Sequence, residues 1–218
     1  STIIRNAVDL DAYTPRGPHD RPTGHYRLLL VEGSLGGGYE MGLETAIQLA
    51  QNLITNYQLP NDALIAGDPG RLELMIVGKV SPEIQTHWNE RAKIPLRWAG
   101  LVPRERIPEI DRSAHLLYSA DLNAACPNSV IEALACGLPV LAFGTGALPE
   151  LVTPEAGQIV PYGGNPWQLD PPDITALAAG AVEIIRAGEM MRQAARGRAE
   201  DKFGLDEMVE KYLGVLAV

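Results

Sequence analysis

The chain has 218 residues, of which 46% are hydrophobic, and it carries a formal net charge of −9. This length and apolar content suit one large domain with a full core. The acidic balance argues against nucleic acid as a partner, because phosphate contacts require a basic surface.

Cysteine and histidine usage narrows the class of protein further. The four histidines are scattered without zinc-type spacing, and no apolar run approaches the roughly 20 residues that cross a bilayer. No secretory segment is recognisable at the start. Cys126 and Cys136 lack the spacing of metal ligands, so we expect free thiols and a cytoplasmic protein.

The first 26 residues differ in composition from the rest. They are rich in proline, glycine and charged residues, which is typical of a linker, and we assign 1–26 as an interdomain segment. Residues 27–202 form the predicted main domain. The last stretch, 203–218, is predicted to form an amphipathic C-terminal helix.

Six apolar strand segments alternate with helical segments in the main domain. The strands are predicted at 27–31, 72–77, 96–101, 114–119, 140–143 and 158–162. Helical periodicity is strongest after residue 40, where Leu43, Ala46, Ile47, Ala50, Leu53 and Ile54 form one stripe. Such alternation predicts a Rossmann-like three-layer α/β/α sandwich with six parallel strands, whose ligand binds at the carboxyl edge of the sheet.

The stretch from Cys126 to Phe143 is the most informative part of the sequence. Pro127 suits the first turn of a helix, which leaves the backbone N–H groups of Asn128, Ser129 and Val130 available for an anion. Glu132 lies one turn further in. Gly137 and Pro139 end the helix, and a short apolar strand follows.

Four motifs resemble the retaining glycosyltransferases of group 1, also described as GT4-type, which have the GT-B fold. The main one is the stretch just described, and the others are Asn6 to Asp9, Leu72 to Gly78 and Leu148 to Val152. The resemblance covers nearly the whole chain. It implies the C-terminal, donor-binding half of such an enzyme, without the N-terminal acceptor-binding domain.

The resemblance implies roles for particular residues. Glu132 is predicted as the catalytic-site carboxylate that contacts the nucleotide ribose. The predicted donor-binding residues are Gly36, Gly37, Gly38, Lys79, Arg104, Asn128, Ser129, Val130, Thr145, Gly146 and Glu150. No metal is expected, and the expected ligand is an NDP-sugar, with UDP or GDP as the nucleotide.

The sequence departs from the family at three positions. A carboxyl residue usually stands where Ala124 is found, and an Arg and a Lys usually stand at Ser34 and Met41. Asp121 is near enough in sequence to replace the missing carboxylate. Because cations stabilise the charge of a leaving diphosphate, we expect weakened or specialised activity.

Three functional hypotheses remain open at this stage. The first is hexosyl transfer from an NDP-sugar with retention, in which this domain alone is inactive and works with its N-terminal domain. That domain would also provide any peripheral contact with a membrane. The second is a nucleotide-sugar-binding or structural domain that has lost catalysis. The third, a UDP-sugar epimerase of GT-B fold, is disfavoured by the motifs at Asn6 and Cys126.

Overall fold

The computed structural model describes residues 3–36, 40–60 and 71–216, with the side chains of residues 40 and 41 excepted. Its six strands are β1 (Tyr26–Ser34), β2 (Leu72–Lys79), β3 (Leu96–Gly100), β4 (Leu116–Ser119), β5 (Val140–Phe143) and β6 (Gly157–Val160). Its α-helices are α1 (Glu40–Asn56), α2 (Pro82–Arg91), α3 (Ile107–Ser113), α4 (Asn128–Ala135), α5 (Leu148–Leu151), α6 (Ile174–Ala187), α7 (Glu189–Lys202) and α8 (Leu205–Leu216). The predicted donor-binding residues Gly37 and Gly38 lie outside the described residues.

The strands form one parallel sheet in the order β3-β2-β1-β4-β5-β6. Strand β1 is central, and its Leu29 lies opposite Met75 of β2 and Leu117 of β4. The chain order reverses between β1 and β4, which makes this the switch point of a doubly wound sheet. The predicted fold class is confirmed.

Helices cover both faces of the sheet. Leu28 and Leu30 of β1 pack with α1 and α6 on one face, whereas Leu29 packs with α3, α4 and α7 on the other. Alternate residues of a strand point to opposite faces, so a strand buried on both sides must be apolar throughout. All six residues of the predicted α1 stripe are buried.

Some predicted boundaries differ from the observed ones. Strand β1 runs on to Ser34, which lies opposite Lys79, because backbone pairing with β2 continues past the last apolar side chain. Between β3 and β4 the chain forms a short 3₁₀ turn (Arg104–Arg106) followed by α3. Pro108 lies in the first turn of α3, where its missing N–H costs nothing.

Residues 3–25 pack against the domain. Val8 and Tyr13 are buried, and the backbone N–H of Val8 donates to the carbonyl of Phe203 at 2.9 Å. Arg112 donates to the carbonyls of Thr14 and Pro18, and Arg196 donates to those of Leu10 and Tyr13. The segment is thus fixed by charged side chains on α3 and α7.

Helix α8 shows an apolar face to solvent. Of its residues, Tyr212 is 50% exposed, Leu213 61% and Leu216 78%.

None of the helices in the described residues has the length and hydrophobicity of a bilayer-spanning segment.

Candidate functional site

A cavity of about 340 Å³ opens at the switch point of the sheet. Its wall is formed by the carboxyl ends of β1, β4 and β5, the first turns of α1 and the loop that follows β4. The polar and aromatic lining residues include Glu32, Thr45, Tyr118, Asp121, Phe143 and Tyr162. Its volume is within the range of small-molecule sites.

Two carboxyl groups, those of Glu32 and Asp121, line this cavity. Burial, and to a smaller extent the charge of Asp121, raises the pKa of Glu32 to about 7. Burial likewise raises the pKa of Asp121. Because Glu32 titrates near neutrality, the pair can both accept and donate hydrogen bonds at physiological pH.

Helix α4 starts at the same edge of the sheet and forms as the sequence predicts. Pro127 precedes its first residue, Asn128, and no side chain caps this end. Gly137 adopts a φ of +67° at the other end. There the N–H of Gly137 donates to Leu134 and that of Leu138 to Ala133, which is the Schellman pattern.

Glu132 is half-buried on α4 and faces two side chains from distant parts of the sequence, Tyr13 and Arg104. Arg104 donates from Nε to the hydroxyl of Tyr13 at 3.4 Å. Burial raises the pKa of Glu132, while the Tyr13 hydroxyl and the Arg104 charge oppose the rise. The carboxylate is therefore positioned by a phenol and a guanidinium that is itself exposed.

A second carboxyl group lies beneath Glu132. Asp111 is 1% exposed, and its Oδ2 has no hydrogen-bond partner among the described residues. Burial, together with the charge of Glu132, holds the pKa of Asp111 well above its usual range. Burial thus favours the neutral form of Asp111, in which it places no like charge beside Glu132.

The start of α4 is tied to the N-terminal segment. Asn6 donates from Nδ2 to the carbonyl of Cys126 and to Oδ1 of Asn128, both at 3.1 Å. Asn128 is exposed, whereas the side chain of Val130 is buried, so Val130 can offer a ligand only its backbone. Ser129 is half-buried between them.

The loop after β5 packs against the loop after β4. Gly146 has a φ of +55°, and a Cβ there would lie 2.6 Å from the carbonyl oxygen of Ala124. Ala147 donates its backbone N–H to that same oxygen at 3.0 Å. The buried hydroxyl of Thr145 has no partner among the described residues. Thr145 and Gly146 thus adjoin Ala124 in the loop that follows β4.

The remaining predicted residues are more peripheral. The exposed Lys79 lies at the end of β2 opposite Ser34, and Gly36 is half-buried just after β1. The residue before Lys79 has to be glycine, since a Cβ on Gly78 would lie 2.1 Å from the carbonyl oxygen of Glu32. Glu150 is exposed and forms an ion pair with Arg5 at 2.8 Å.

The site thus has two parts, one on each side of the loop that joins β4 to α4. Glu132 and Arg104 lie on the α4 face, and the cavity with Asp121 lies on the α1 face. Sequence reasoning missed Glu32, Asp111 and the role of Tyr13. Glu32 alone had a signal, an isolated acid directly after an apolar strand whose carboxyl end meets the ligand edge.

Both cysteines are free thiols, as predicted. In the described parts of the chain, no three His, Cys, Asp or Glu side chains are grouped so as to hold a metal ion.

Comparison with known families identifies the chain. Residues 49–187 match the family model of the glycosyl transferases of group 1, and the chain belongs to that family. A search of curated proteins finds no match.

Solved structures share the fold over nearly the whole chain. The sucrose-phosphate synthase of Thermosynechococcus elongatus superposes with a TM-score of 0.70 at 19% identity over 98% of this chain and 51% of its own. HepE of Anabaena, solved in complex with UDP-glucose, superposes with a TM-score of 0.68 at 16% identity. The match covers 99% of this chain and 57% of that one. This chain therefore spans about half the length of either protein.

One isolated domain matches along its full length. The C-terminal domain of the group 1 protein LpcC from Francisella tularensis gives a TM-score of 0.63 at 15% identity, and the match covers 91% of this chain and 99% of that one. The described fold thus corresponds to a domain that has been crystallised by itself.

Proposed function

We propose that this chain is the donor-binding half of a glycosyltransferase that moves a hexosyl group from an NDP-sugar to an acceptor with retention. The observation that carries the proposal is the arrangement at α4, where a helix end without a side-chain cap and a half-buried Glu132 lie at the carboxyl edge of the sheet. Family membership and the UDP-glucose bound by HepE support the same conclusion.

The nucleotide fits the α4 side of the site. Glu132 accepts hydrogen bonds from the ribose hydroxyls, and Arg104 lies beside the base or the phosphates. The backbone N–H groups of Asn128, Ser129 and Val130 face the diphosphate, because the start of a helix carries partial positive charge. Lys79 and Gly36, with the predicted Gly37 and Gly38, complete the phosphate end.

The hexosyl group fits the cavity on the α1 side. Glu32 and Asp121 accept hydrogen bonds from its hydroxyls, and Asp121 takes the place of the carboxylate that Ala124 lacks. An oxocarbenium-like transition state gains from a nearby negative charge. Thr145 and Gly146 border the same region, and Glu150 lies further out beside Arg5.

The chemistry requires a second domain. The acceptor and part of the active site come from an N-terminal GT-B domain, so the 218-residue chain by itself binds the donor without turning it over. Residues 1–26 form the interdomain segment, and residues 203–218 pack on that second domain through the apolar face of α8. UDP or GDP is the favoured nucleotide, and the protein works in the cytoplasm.

Calorimetric titration with UDP, GDP and ADP tests the proposal. We expect saturable binding of UDP or GDP and a loss of at least tenfold in affinity for Glu132→Ala, since a charged hydrogen bond contributes about 1.5–3 kcal/mol. Glu90→Ala on the exposed face of α2 is the matched control and should bind like the parent. Failure of all three nucleotides to bind a folded protein would overturn the proposal.

One observation favours a second candidate, a nucleotide-sugar-binding domain without catalysis. Ser34 stands where the family has an arginine, and the cavity holds carboxylates rather than cations. A transfer assay on the full-length protein separates the two candidates. Turnover that depends on Asp121 supports the enzyme, whereas nucleotide binding without turnover supports the non-catalytic domain.

A further inference from the structure

A basic surface lies at the opposite, amino edge of the sheet. Two neighbouring cavities of about 310 and 180 Å³ share Arg21, Glu189 and Arg192 in their walls. Together they are lined by four arginines, three histidines and one glutamate. This concentration of positive charge is unexpected in a chain whose formal net charge is −9.

The larger cavity contains two guanidinium groups without a carboxylate partner. Among the described residues, neither Arg21 nor Arg192 takes part in an ion pair. Arg192 donates one hydrogen bond from Nη1 to the carbonyl of Ala114 at 3.0 Å. Both residues are half-buried, so water compensates their charges only in part.

The positive charges of Arg21 and Arg192 repel each other, and Glu189 offsets part of this repulsion. Burial lowers the pKa of Arg192 to about 10, and the like charge of Arg21 contributes to the shift. Glu189 is the one acidic residue in the wall and opposes the shift. An anion between the guanidinium groups would relieve the repulsion that one glutamate leaves uncompensated.

His115 adds a neutral donor to the same wall. Its Nδ1 accepts the backbone N–H of Arg27 at 3.0 Å. Burial lowers the pKa of His115 to about 3, so the ring is neutral and its proton is on Nε2. His115 lines the cavity beside Thr23, which provides an exposed hydroxyl.

We propose that this amino-edge cavity binds a phosphate monoester of a small polar compound, with Arg21 and Arg192 as the anion-binding pair. The planar donors of arginine match phosphate oxygens, and two unpaired guanidinium groups balance its double charge. The volume of about 310 Å³ leaves room for more than an inorganic phosphate ion. The site is separate from the proposed donor site at the carboxyl edge and does not depend on it.

Titration calorimetry with inorganic phosphate and with glucose 6-phosphate tests the proposal on the 218-residue chain. We expect saturable binding of both, with the ester binding more tightly because it also fills the cavity. Arg21→Gln should weaken both by tenfold or more. This variant should fold normally, since the Arg21 side chain makes no hydrogen bond to the described residues that would be lost, and a thermal melt checks this.

Three further variants make the result decisive. Glu189→Gln should strengthen binding several-fold, because it removes the opposing charge. Arg16→Gln, an exposed arginine of the same segment outside both cavities, should bind like the parent. Glu132→Ala should leave phosphate-ester affinity unchanged. Absence of saturable binding, equal affinity of Arg21→Gln and the parent, or loss of binding in Glu132→Ala would each overturn the proposal.

Discussion

Replacing Glu32 by glutamine gives a quantitative test of the cavity's electrostatics. The pKa of Glu32 rises from 4.5 to about 7 on folding, chiefly because the carboxyl group is buried and secondly because it faces Asp121. The folded state therefore holds this proton more tightly than the unfolded state does. It follows that the free energy of unfolding decreases as the pH rises from about 4.5 to about 7.

The size of the effect follows from the shift. Each pKa unit corresponds to about 1.4 kcal/mol, which sets an upper limit of about 3.5 kcal/mol for Glu32. Solvent at the cavity mouth screens part of this energy, so we expect about 1–2 kcal/mol. Glu32→Gln keeps the shape and removes the charge. The variant should therefore gain that stability relative to the parent at pH 8 and much less of it at pH 4.

Urea unfolding of both proteins at pH 4 and pH 8 measures the difference. Glu90→Gln makes the same chemical change at an exposed position of α2 and should leave stability nearly unaltered at either pH. If the difference between the parent and Glu32→Gln were the same at both pH values, the coupling inferred from burial and Asp121 would be refuted.

Three other substitutions probe the fold. Gly78→Ala should destabilise by about 3 kcal/mol in urea unfolding, since φ is +145° and the Cβ would lie 2.1 Å from a carbonyl oxygen. Arg27→Met should cost about 3 kcal/mol by the same measurement, because it removes the buried guanidinium that pairs with the half-buried carboxylate of Glu73 and leaves only His25, at 3.5 Å, beside it. Leu213→Glu on α8 should change the free energy of unfolding by under about 0.5 kcal/mol, because the side chain is 61% exposed.

The substitutions of Gly78 and Arg27 each have a matched comparison. Gly24→Ala introduces a Cβ with no atom within 4 Å and should be tolerated. Arg16→Met removes an exposed arginine and should be nearly neutral. Equal losses in Gly78→Ala and Gly24→Ala would contradict the close approach of β1 and β2, and a large loss in Leu213→Glu would contradict the exposure of α8.

The sequence predicted the layers of the fold well because they depend on local periodicity. The α1 stripe and the strand Val140–Phe143 were read from neighbouring residues alone, and the structure confirms both. The predicted end of β1 was too early, because the length of a strand depends on how far the neighbouring strand continues to pair with it. Nothing near Ser34 in the sequence indicates that Lys79 lies opposite it.

The site was predictable only in part for the same reason. The start of α4 at Asn128 and its glycine stop follow from local chemistry. By contrast, Tyr13 and Arg104 reach Glu132 from distant parts of the chain, and Glu32 meets Asp121 only once β1 and β4 are neighbours. Such groupings depend on topology, which no short motif encodes.

The hydrogen bond from Val8 to Phe203 has a consequence for how the molecule assembles. It joins residues 195 positions apart, so its formation closes most of the chain into one loop, at an entropic cost that grows with loop length. Exchange of the Val8 amide hydrogen with deuterated water should therefore require either opening of the whole domain or local unfolding of the last turn of α7. This single proton reports whether the first and last parts of the chain are joined.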